Sequence, residues 1–464
     1  MQHKIIRSVS NRGIAYSVFA FGSSRHMFLV GEPETYQINF GDVPGQIQNL
    51  LENVKAVCQE LGFVNVPPAE EAENENGEDD IDILGANTVV AMCHIFLADI
   101  GMRELVRQRA NEMCPHIFDA VTFVPQSPAS GAAVAIELWA MTGKEPHFVR
   151  FPECEFAPEN DESGDDEPDE KMFPHRHVVC AEFDDMRWLF CGGADPGTSP
   201  AVGAYKRSCD AFTRLDDLIA EGGFSFEQIL RTWIYQGHLV LSEGANAEGI
   251  AVQRYQELNR ARTDCFDGIQ FLQHNLPEHY AETHERPVYP ASTGIGADDF
   301  DVVLSAIAFD TNRDDVIVVP LENPNQTSAF HYDEEYSPQS PKFSRAMAVA
   351  AADTCLIFVS GTASITDSES RHIDDPVMQT EQTLDNIAGL IAGENLALHG
   401  IEGMSCSLSN LESVRVYVKR RAELDVVRQV CGQRLPNVPT LYVIADICRP
   451  ELLVEIEGIA VTRR

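Results

Sequence analysis

Three segments of the sequence share one pattern, and this repeat limits the fold more than any other feature. In each, a Pro followed by small or polar residues leads into alternating apolar residues, at 128–138, 290–307 and 439–457. Each ends a unit of about 150 residues, and a fixed period indicates repeated structural units. A chain of 464 residues is also too long for one ordinary core. The sequence predicts three tandem modules; three unrelated α/β domains are the alternative.

The hydrophobic pattern upstream of each ending predicts a helix, a strand and a second helix. In the first unit, apolar residues recur with helical spacing on one face, at 47, 50, 51, 54, 57, 58 and 61. The predicted helices, with the strand between each pair, are 47–61, 89–97 and 102–113 in the first unit, 203–219, 229–236 and 249–266 in the second, and 378–390, 414–418 and 422–433 in the third.

The acidic charge is concentrated in two short runs. The formal net charge is -38, and residues 70–82 and 153–170 hold eight and ten of the 72 acidic residues. Because Asn and Gly interrupt both runs, and Pro and Ser also interrupt the second, we expect solvated insertions. An acidic chain repels phosphate backbones, so nucleic acid is not an expected partner.

Other residues argue against a membrane span, a signal peptide and a metal site. No segment reaches about 18 uninterrupted apolar residues, and the start has no apolar core of a secretory signal, so we expect a cytoplasmic protein. The 12 Cys residues form no Cys-x-x-Cys, and most sit in apolar runs, which predicts reduced core thiols. His175 and His177 have no partner at ligand spacing, so no metal and no cofactor is expected.

The third ending carries two carboxylates, Glu455 and Glu457. On an alternating strand they share one face, roughly 7 Å apart. At these two positions the first unit has Ala135 and Glu137, and the second has Val303 and Ser305. Two carboxylates on a buried strand cost desolvation unless they are paired or functional. They are therefore either an acidic site or partners of buried Arg residues.

The order of strands and helices in each unit resembles the Rid (YjgF-like) family. Single-module members form trimers in which the sheets build a central barrel with helices outside. The resemblance implies an α+β fold in which three Rid-like modules form an intramolecular pseudo-trimer with a central β-barrel, within a monomer. The expected divisions are a non-catalytic module at 1–145, an acidic linker at 146–174, a second module at 175–322 and a catalytic module at 323–464.

Imine-deaminating Rid proteins carry an Arg shortly after the Pro of this ending, where it holds the substrate carboxylate. The matching positions here are Ser292 and Thr440, and the first unit has only small residues. The absence of that cation weakens a deaminase interpretation, which nevertheless stays an alternative.

A more specific resemblance covers residues 175–464, which are similar to the chorismatases, Rid-fold enzymes that remove pyruvate from chorismate. The segments that carry the similarity are 233–235, 254–262, 291–296, 343–346, 358–365, 369–372, 379–387 and 448–457. The resemblance implies release of pyruvate from chorismate or a related enolpyruvyl compound. The ring product would be a hydroxybenzoate or a dihydroxycyclohexadiene carboxylate, formed without a cofactor.

Two residues near the end of the chain are the candidate catalytic groups. Glu455 matches the catalytic acid of the chorismatases, and burial between Val454 and Ile456 would keep it protonated near neutral pH. Cys448 resembles the Cys of the branch that yields 3-hydroxybenzoate; a core-filling role is the alternative.

Chorismate is a dianion, so cations are expected around it in this acidic chain. Arg suits carboxylates because it can bind both oxygens at once. The candidate substrate-binding residues are Arg254, Arg262, Arg345, Tyr255, Tyr235 and Gly294. For each Arg alone, a structural ion pair is the alternative.

Two departures from the chorismatase pattern put the substrate in question. Thr366, Asp367 and Ser368 stand where the family usually has Gly-His, and Gln339 stands where it tends to have Arg. Loss of a cation and gain of Asp367 would weaken binding of a dianion. A different substrate, an inactive site and a non-catalytic ligand-binding scaffold therefore stay open.

Overall fold

The computed structural model describes residues 6–9, 12–34, 42–63, 88–114, 119–143, 147–150, 177–245, 249, 251–276, 287–332 and 339–464. The described residues do not include the two acidic runs or His175. The described residues contain three six-stranded sheets and two short hairpins. None of their helices is long and apolar enough to cross a membrane.

The first sheet has the order β1-β2-β3-β6-β4-β5. Its elements are β1 (Ile6–Val9), β2 (Ile14–Phe21), β3 (Ser24–Gly31), α1 (Val43–Glu60), β4 (Thr88–Leu97), α2 (Arg103–Met113), β5 (Val121–Val124) and β6 (Val134–Thr142). Asp42 caps α1 by accepting the Gly45 N–H at 3.0 Å, and Pro44 occupies its first turn. The predicted apolar stripe of α1 is confirmed, because its residues from Ile47 to Cys58 are buried.

The second sheet has the order β13-β10-β14-β9-β8-β7. Its elements, with a two-stranded hairpin, are β7 (His147–Arg150), β8 (Val178–Phe183), β9 (Met186–Ala194), α3 (Ala204–Glu221), β10 (Ile229–Gly237), β11 (Ser242–Ala245), β12 (Ala251–Gln253), α4 (Arg254–Cys265), β13 (Ala291–Ala297) and β14 (Val302–Thr311). The predicted start of α4 at 249 was wrong, because β12 pairs with β11 before the helix begins.

The third sheet has the order β15-β16-β17-β22-β20-β21. Its elements, with a second hairpin, are β15 (Val316–Leu321), β16 (Ala346–Ala351), β17 (Thr354–Ala363), β18 (Ile365–Thr366), β19 (Glu369–Ser370), α5 (Pro376–Ile391), α6 (Gly393–Leu398), β20 (Leu411–Val418), α7 (Leu424–Arg434), β21 (Thr440–Ile444) and β22 (Val454–Arg463). The short helix α6 was not predicted from the sequence.

The three sheets have one topology. In each, three antiparallel strands are followed in space by the last strand of the unit, then by the fourth and fifth strands, which run parallel. The parallel pair needs a crossover, and α2, α4 and α7 supply it. Two sheets begin earlier than the predicted module boundaries. Strand β7 lies inside the predicted linker 146–174 and β15 inside the predicted module 175–322, and each pairs with the strand after it.

Side chains of all three sheets meet in one aromatic cluster. The rings of Trp139, Trp188 and Phe358, one from each sheet, lie 6.2–6.4 Å apart between centroids. Three further apolar clusters each lie mainly between one sheet and its own helices. The described strands form separate open sheets, so the predicted central barrel is not found as a closed hydrogen-bonded barrel.

Candidate active site

A cavity of about 190 Å³ lies between the second and third sheets. Residues of α4, β13, β17 and β22 line it, together with the segments that precede β16 and β22. Six of the eight residues predicted from the sequence line this cavity: Tyr255, Arg262, Gly294, Arg345, Cys448 and Glu455. The sequence stretches that contain them are up to 200 residues apart, and the fold brings them together.

Strand β22 positions Glu455 in the wall of the cavity. It lies opposite Tyr417 of β20 and Ala363 of β17, and only 4% of its surface is exposed. No ion pair or hydrogen bond joins its carboxyl group to another described residue. Burial raises the pKa of Glu455 to about 8, and the charge of Glu457 adds to this, while Arg231 and Arg345 lower it. Glu455 is therefore mostly an un-ionised carboxylic acid at neutral pH.

Glu457, two residues along β22, has the opposite environment. Its carboxylate forms ion pairs with Arg231 and with Arg415, the latter at 2.7 Å. It also accepts hydrogen bonds from Thr293 and, at 2.8 Å, from the Tyr417 hydroxyl. The alternative of buried Arg partners thus holds for Glu457 and not for Glu455. One glutamate is held as a carboxylate, and the other faces the cavity without a partner among the described residues.

Arg262 and Arg345 are buried cations of the same cavity. Arg262 donates to Asn259 Oδ1 at 2.7 Å and to Ser292 Oγ at 3.4 Å. Arg345 donates to the Thr327 carbonyl at 2.8 Å and to the Tyr332 hydroxyl at 2.5 Å.

Neither guanidinium has a carboxylate within ion-pair distance among the described residues. The Glu322 carboxylate acts on Arg345 only from farther away. The Nε atoms of Arg262 and Arg345 are buried without a hydrogen-bond partner in the described part of the chain. A buried cation without a counter-ion is costly, so an anionic ligand would stabilise both.

Neutral groups complete the wall around Glu455. Burial raises the pKa of the Tyr255 hydroxyl above its ordinary value, so the phenol stays protonated. Burial, and then the charge of Glu455, raises the pKa of the Cys448 thiol to about 12. Cys448 lies four residues after the end of β21 at Ile444, in the segment that leads into β22. Gly294 leaves space in front of the Tyr255 ring, which a Cβ would approach to 3.7 Å.

The other two predicted residues, Arg254 and Tyr235, do not line the cavity. Arg254 donates to the carbonyls of Gly237 at 2.7 Å and Phe300 at 2.5 Å, and it pairs with Glu243. The Tyr235 hydroxyl accepts from Arg415 at 2.6 Å in the network around Glu457. The structure therefore does not bring these two predicted residues to the cavity, and their polar groups bind other parts of the fold. Neighbours on a helix point in directions about 100° apart, which is why Tyr255 faces the cavity while Arg254 does not.

The sequence analysis missed Arg449 and Tyr332 as cavity residues. Arg449 donates to Ser370 Oγ at 3.1 Å and to the Ser368 carbonyl at 2.9 Å. The guanidinium carbons of Arg345 and Arg449 lie 5.4 Å and 5.2 Å from the centroid of the Tyr332 ring. Arg449 belongs to the segment 448–457 that carries the chorismatase similarity, so its position next to Cys448 was an available signal.

The two departures from the chorismatase pattern do not contribute side chains to the lining of this cavity. Neither Asp367 nor Gln339 is part of its lining. Asp367 occupies a turn with φ of +54° and donates its N–H to the Asn325 carbonyl at 3.0 Å. Asp367 therefore adds no carboxylate to the cavity wall. In the part of the chain that the structure describes, no group of three or more His, Cys, Asp or Glu residues is arranged to hold a metal ion.

Comparisons with known proteins identify relatives of the chain in sequence and in fold. No protein-family model matches the chain. The 3-hydroxybenzoate synthase of Streptomyces hygroscopicus is 33% identical over 280 residues, which are 59% of this chain and 74% of that protein. A chorismatase of Streptomyces rapamycinicus is 33% identical over 264 residues, 56% of this chain and 72% of that protein. The crystal structure of a chorismatase has the same fold, with a TM-score of 0.55 at 23% identity over 83% of this chain and 96% of that one.

Proposed function

Because this chain belongs to the chorismatase family, we propose that it is an enzyme that releases pyruvate from chorismate or a closely related enolpyruvyl compound. The observation that carries the proposal is the pairing of an un-ionised Glu455 with two buried cations that lack counter-ions among the described residues, all in one cavity. The similarity to a 3-hydroxybenzoate synthase and the presence of Cys448 favour 3-hydroxybenzoate as the ring product.

Glu455 would supply the proton that starts the reaction. The methylene carbon of an enol ether is a weak base, so its protonation needs an acid that is still un-ionised near neutral pH. A pKa of about 8 meets this requirement. Protonation produces an oxocarbenium ion, whose positive charge the Glu455 carboxylate left behind would stabilise. Addition of water to the oxocarbenium carbon, with a proton of that water returning to Glu455, would give a hemiketal. Cleavage of the bond between this carbon and the ring oxygen would then release pyruvate and leave a hydroxyl group on the ring. The resulting dihydroxycyclohexadiene carboxylate becomes a hydroxybenzoate when it loses one water.

Arg262 and Arg345 would bind the two carboxylates of the substrate. Each guanidinium can form charge-assisted hydrogen bonds to a carboxylate, and these are stronger away from water. Their common neighbour is the ring of Phe343, which lies 5.7 Å and 5.5 Å from the two guanidinium carbons. The space next to Phe343 would therefore take the ring of the substrate, with the Tyr255 hydroxyl as a neutral donor.

The three sheets would form a pseudo-trimer within one chain. The shared topology supports this arrangement, as do contacts that connect every pair of sheets: β5 with β9, β13 with β17, and β21 with β3. The first module would be non-catalytic, because Ala135 stands at the position of Glu455. The monomeric state, the cytoplasmic location and the independence from cofactors stay predictions.

A Rid-type deaminase has less support. Ser292, at the position of the carboxylate-binding Arg of deaminating Rid proteins, lines the cavity and accepts a hydrogen bond from Arg262. A non-catalytic scaffold would not need an un-ionised acid beside the two cations, and a buried acid without a partner is costly to keep.

The deciding experiment follows chorismate and its products with the purified full-length protein. We expect loss of chorismate absorbance, pyruvate in a coupled lactate dehydrogenase assay, and a ring product identified by mass spectrometry. Release of ammonia from 2-aminoacrylate without pyruvate release from chorismate would replace the proposal by a deaminase. If neither product forms while chorismate raises the melting temperature, the protein is a binding scaffold.

A further inference from the structure

A second cavity, of about 150 Å³, lies between the first and second sheets. Residues of α2, β5, β9 and β14 line it. These elements occupy the same places in their sheets as α4, β13, β17 and β22, which line the candidate active site. The two cavities are therefore counterparts, formed by successive pairs of modules.

The strand register places Val303 where the active site has its acid. Val303 of β14 lies opposite Tyr235 of β10, just as Glu455 of β22 lies opposite Tyr417 of β20. Both Val303 and Glu455 line their cavities. Because valine has no proton to give, the second cavity cannot carry out the proposed reaction.

A matching hydrogen bond supports the same equivalence. The Gly361 N–H donates to Thr293 Oγ1 at 2.9 Å beside the active site. The Gly193 N–H donates to Thr122 Oγ1 at 3.0 Å beside the second cavity. The backbone frame of the binding site is thus kept in the first pair of modules although its acid is absent.

The second cavity has a cation and a carboxylate that are not paired with each other. The Arg107 guanidinium carbon lies 5.0 Å from the Phe123 ring centroid, and its Nη1 donates to the exposed Glu104 at 3.0 Å. The Nε of Arg107 is buried and has no hydrogen-bond partner among the residues the structure describes. Asp195 also lines the cavity, and each of these two groups experiences the charge of the other from beyond ion-pair distance. A ligand with both charges could bridge them.

The cavity also has a neutral imidazole, besides the exposed Arg103, whose guanidinium pairs with Glu104. The Nδ1 of His177 lies 2.9 Å from the Gly192 carbonyl, which requires a proton on Nδ1. Burial lowers the pKa of His177, so the ring is neutral and Nε2 is an acceptor. Asp299 and Asp301 add carboxylates to the lining, and Asp301 is paired with Arg207. The several carboxylates of this wall disfavour a dianion. They favour a ligand that carries an ammonium group as well as a carboxylate.

We propose that this second cavity binds the zwitterion of an α-amino acid with an apolar side chain. Arg107 would bind the carboxylate, and Asp195, helped by the His177 Nε2, would bind the ammonium group. Ile100, Val302 and Val303 supply apolar wall for the side chain. The site is separate from the cavity around Glu455, so the inference does not depend on the proposed reaction.

Isothermal titration of the full-length protein with L-leucine and L-phenylalanine tests the proposal. We expect saturable binding of at least one of them. The analogues that lack the amino group, 4-methylpentanoate and 3-phenylpropanoate, and those that lack the carboxylate, isopentylamine and phenethylamine, should bind at least about tenfold more weakly. If both amino acids fail to bind at 10 mM, or if the carboxylic acids bind equally well, the proposal is wrong.

Substitutions test whether the amino acid binds in this cavity. Arg107→Gln and Asp195→Asn should each weaken binding at least about tenfold while chorismate turnover is unchanged. Arg109→Gln is the matched control, because Arg109 lies on the same helix, pairs with Glu112 and does not line the cavity. Arg262→Gln should leave amino-acid binding intact. Binding that survives both cavity variants, or that is lost in Arg262→Gln, would assign it to another site and overturn the inference.

Discussion

Replacement of Glu455 by Gln tests the proposed chemistry most directly. The amide keeps the shape of the side chain but has no acidic proton to give to carbon. A positioned general acid contributes about 10²–10⁴-fold in rate, so kcat should fall by at least about two orders of magnitude. KM should change little, because the proposed binding of the substrate charges rests on Arg262 and Arg345 and not on Glu455. Stopped or continuous pyruvate detection measures both parameters.

The pH dependence of the wild type supplies an independent check. Glu455 must be protonated to act, so kcat should be constant at neutral pH and fall as the pH rises through about 8. The same raised pKa affects stability: the folded form binds this proton more tightly than the unfolded form, and that stabilisation is lost as the pH rises from about 4.5 through about 8. The difference between the folded and unfolded pKa values sets an upper limit of about 5 kcal/mol on this stabilisation of the folded form. Glu455→Gln should therefore unfold at a higher temperature than the wild type at pH 9.

Glu451→Gln is the matched control for this experiment. Glu451 lines the same cavity, but its carboxylate accepts a hydrogen bond from Ser370 at 2.6 Å, and it has no part in the proposed proton transfer. Its kcat should stay within about tenfold of the wild type. If Glu455→Gln keeps near-normal turnover, or if it unfolds the protein at neutral pH, Glu455 is a structural residue and the proposed proton transfer is wrong.

Three further substitutions examine other parts of the cavity. Arg262→Gln removes one of the two cations proposed to bind substrate carboxylates, so KM should rise about 10–100-fold, more than kcat falls; an unchanged KM would show that Arg262 does not bind substrate. Cys448→Ala should leave pyruvate release measurable and alter the ring product seen by mass spectrometry; the same product in the same yield would make Cys448 a packing residue. Gly361→Ala places a Cβ against Glu455 Oε1 and 3.0 Å from Thr293 Cγ2. The displaced acid should lower kcat at least about tenfold. Gly432→Ala is the control, because no atom lies within 4 Å of the added Cβ, and it should leave kcat unchanged.

The fold was largely predictable because its signals are local and repeated. The stripe from Ile47 to Cys58 identified a helix by spacing alone, and the three similar endings identified three units. The edges of the second and third sheets were missed because β7 and β15 are short and lie next to a predicted linker or boundary. A strand of four or six residues has little periodicity, so its sheet is decided by pairing that the sequence does not show.

A motif in the sequence could identify candidate site residues. It could not predict the role of a residue when that role depends on the surrounding structure. Glu455 and Glu457 are equivalent in sequence, two apart on one strand face. Their difference comes from Arg231, more than 200 residues away on another sheet, which pairs with Glu457 and not with Glu455. Arg254 and Tyr255 are likewise neighbours that only the helix orientation separates. Such distinctions depend on long-range packing, which spacing cannot provide.

Fusion of the modules in one chain explains how a single acid can arise in a repeated fold. The buried network around Glu457 takes Glu137 from the first sheet, Arg231 and Tyr235 from the second, and Arg415 from the third. In a trimer of identical chains, every such residue would be present three times and the charges would have to be satisfied in triplicate. A fused chain can place two carboxylates beside two cations at the centre and leave Glu455, two residues before Glu457 on β22, un-ionised. Burial, and then the charge of Glu457, keeps the proton on Glu455 in one cavity, whereas Val303 supplies no acid at the matching position of the other.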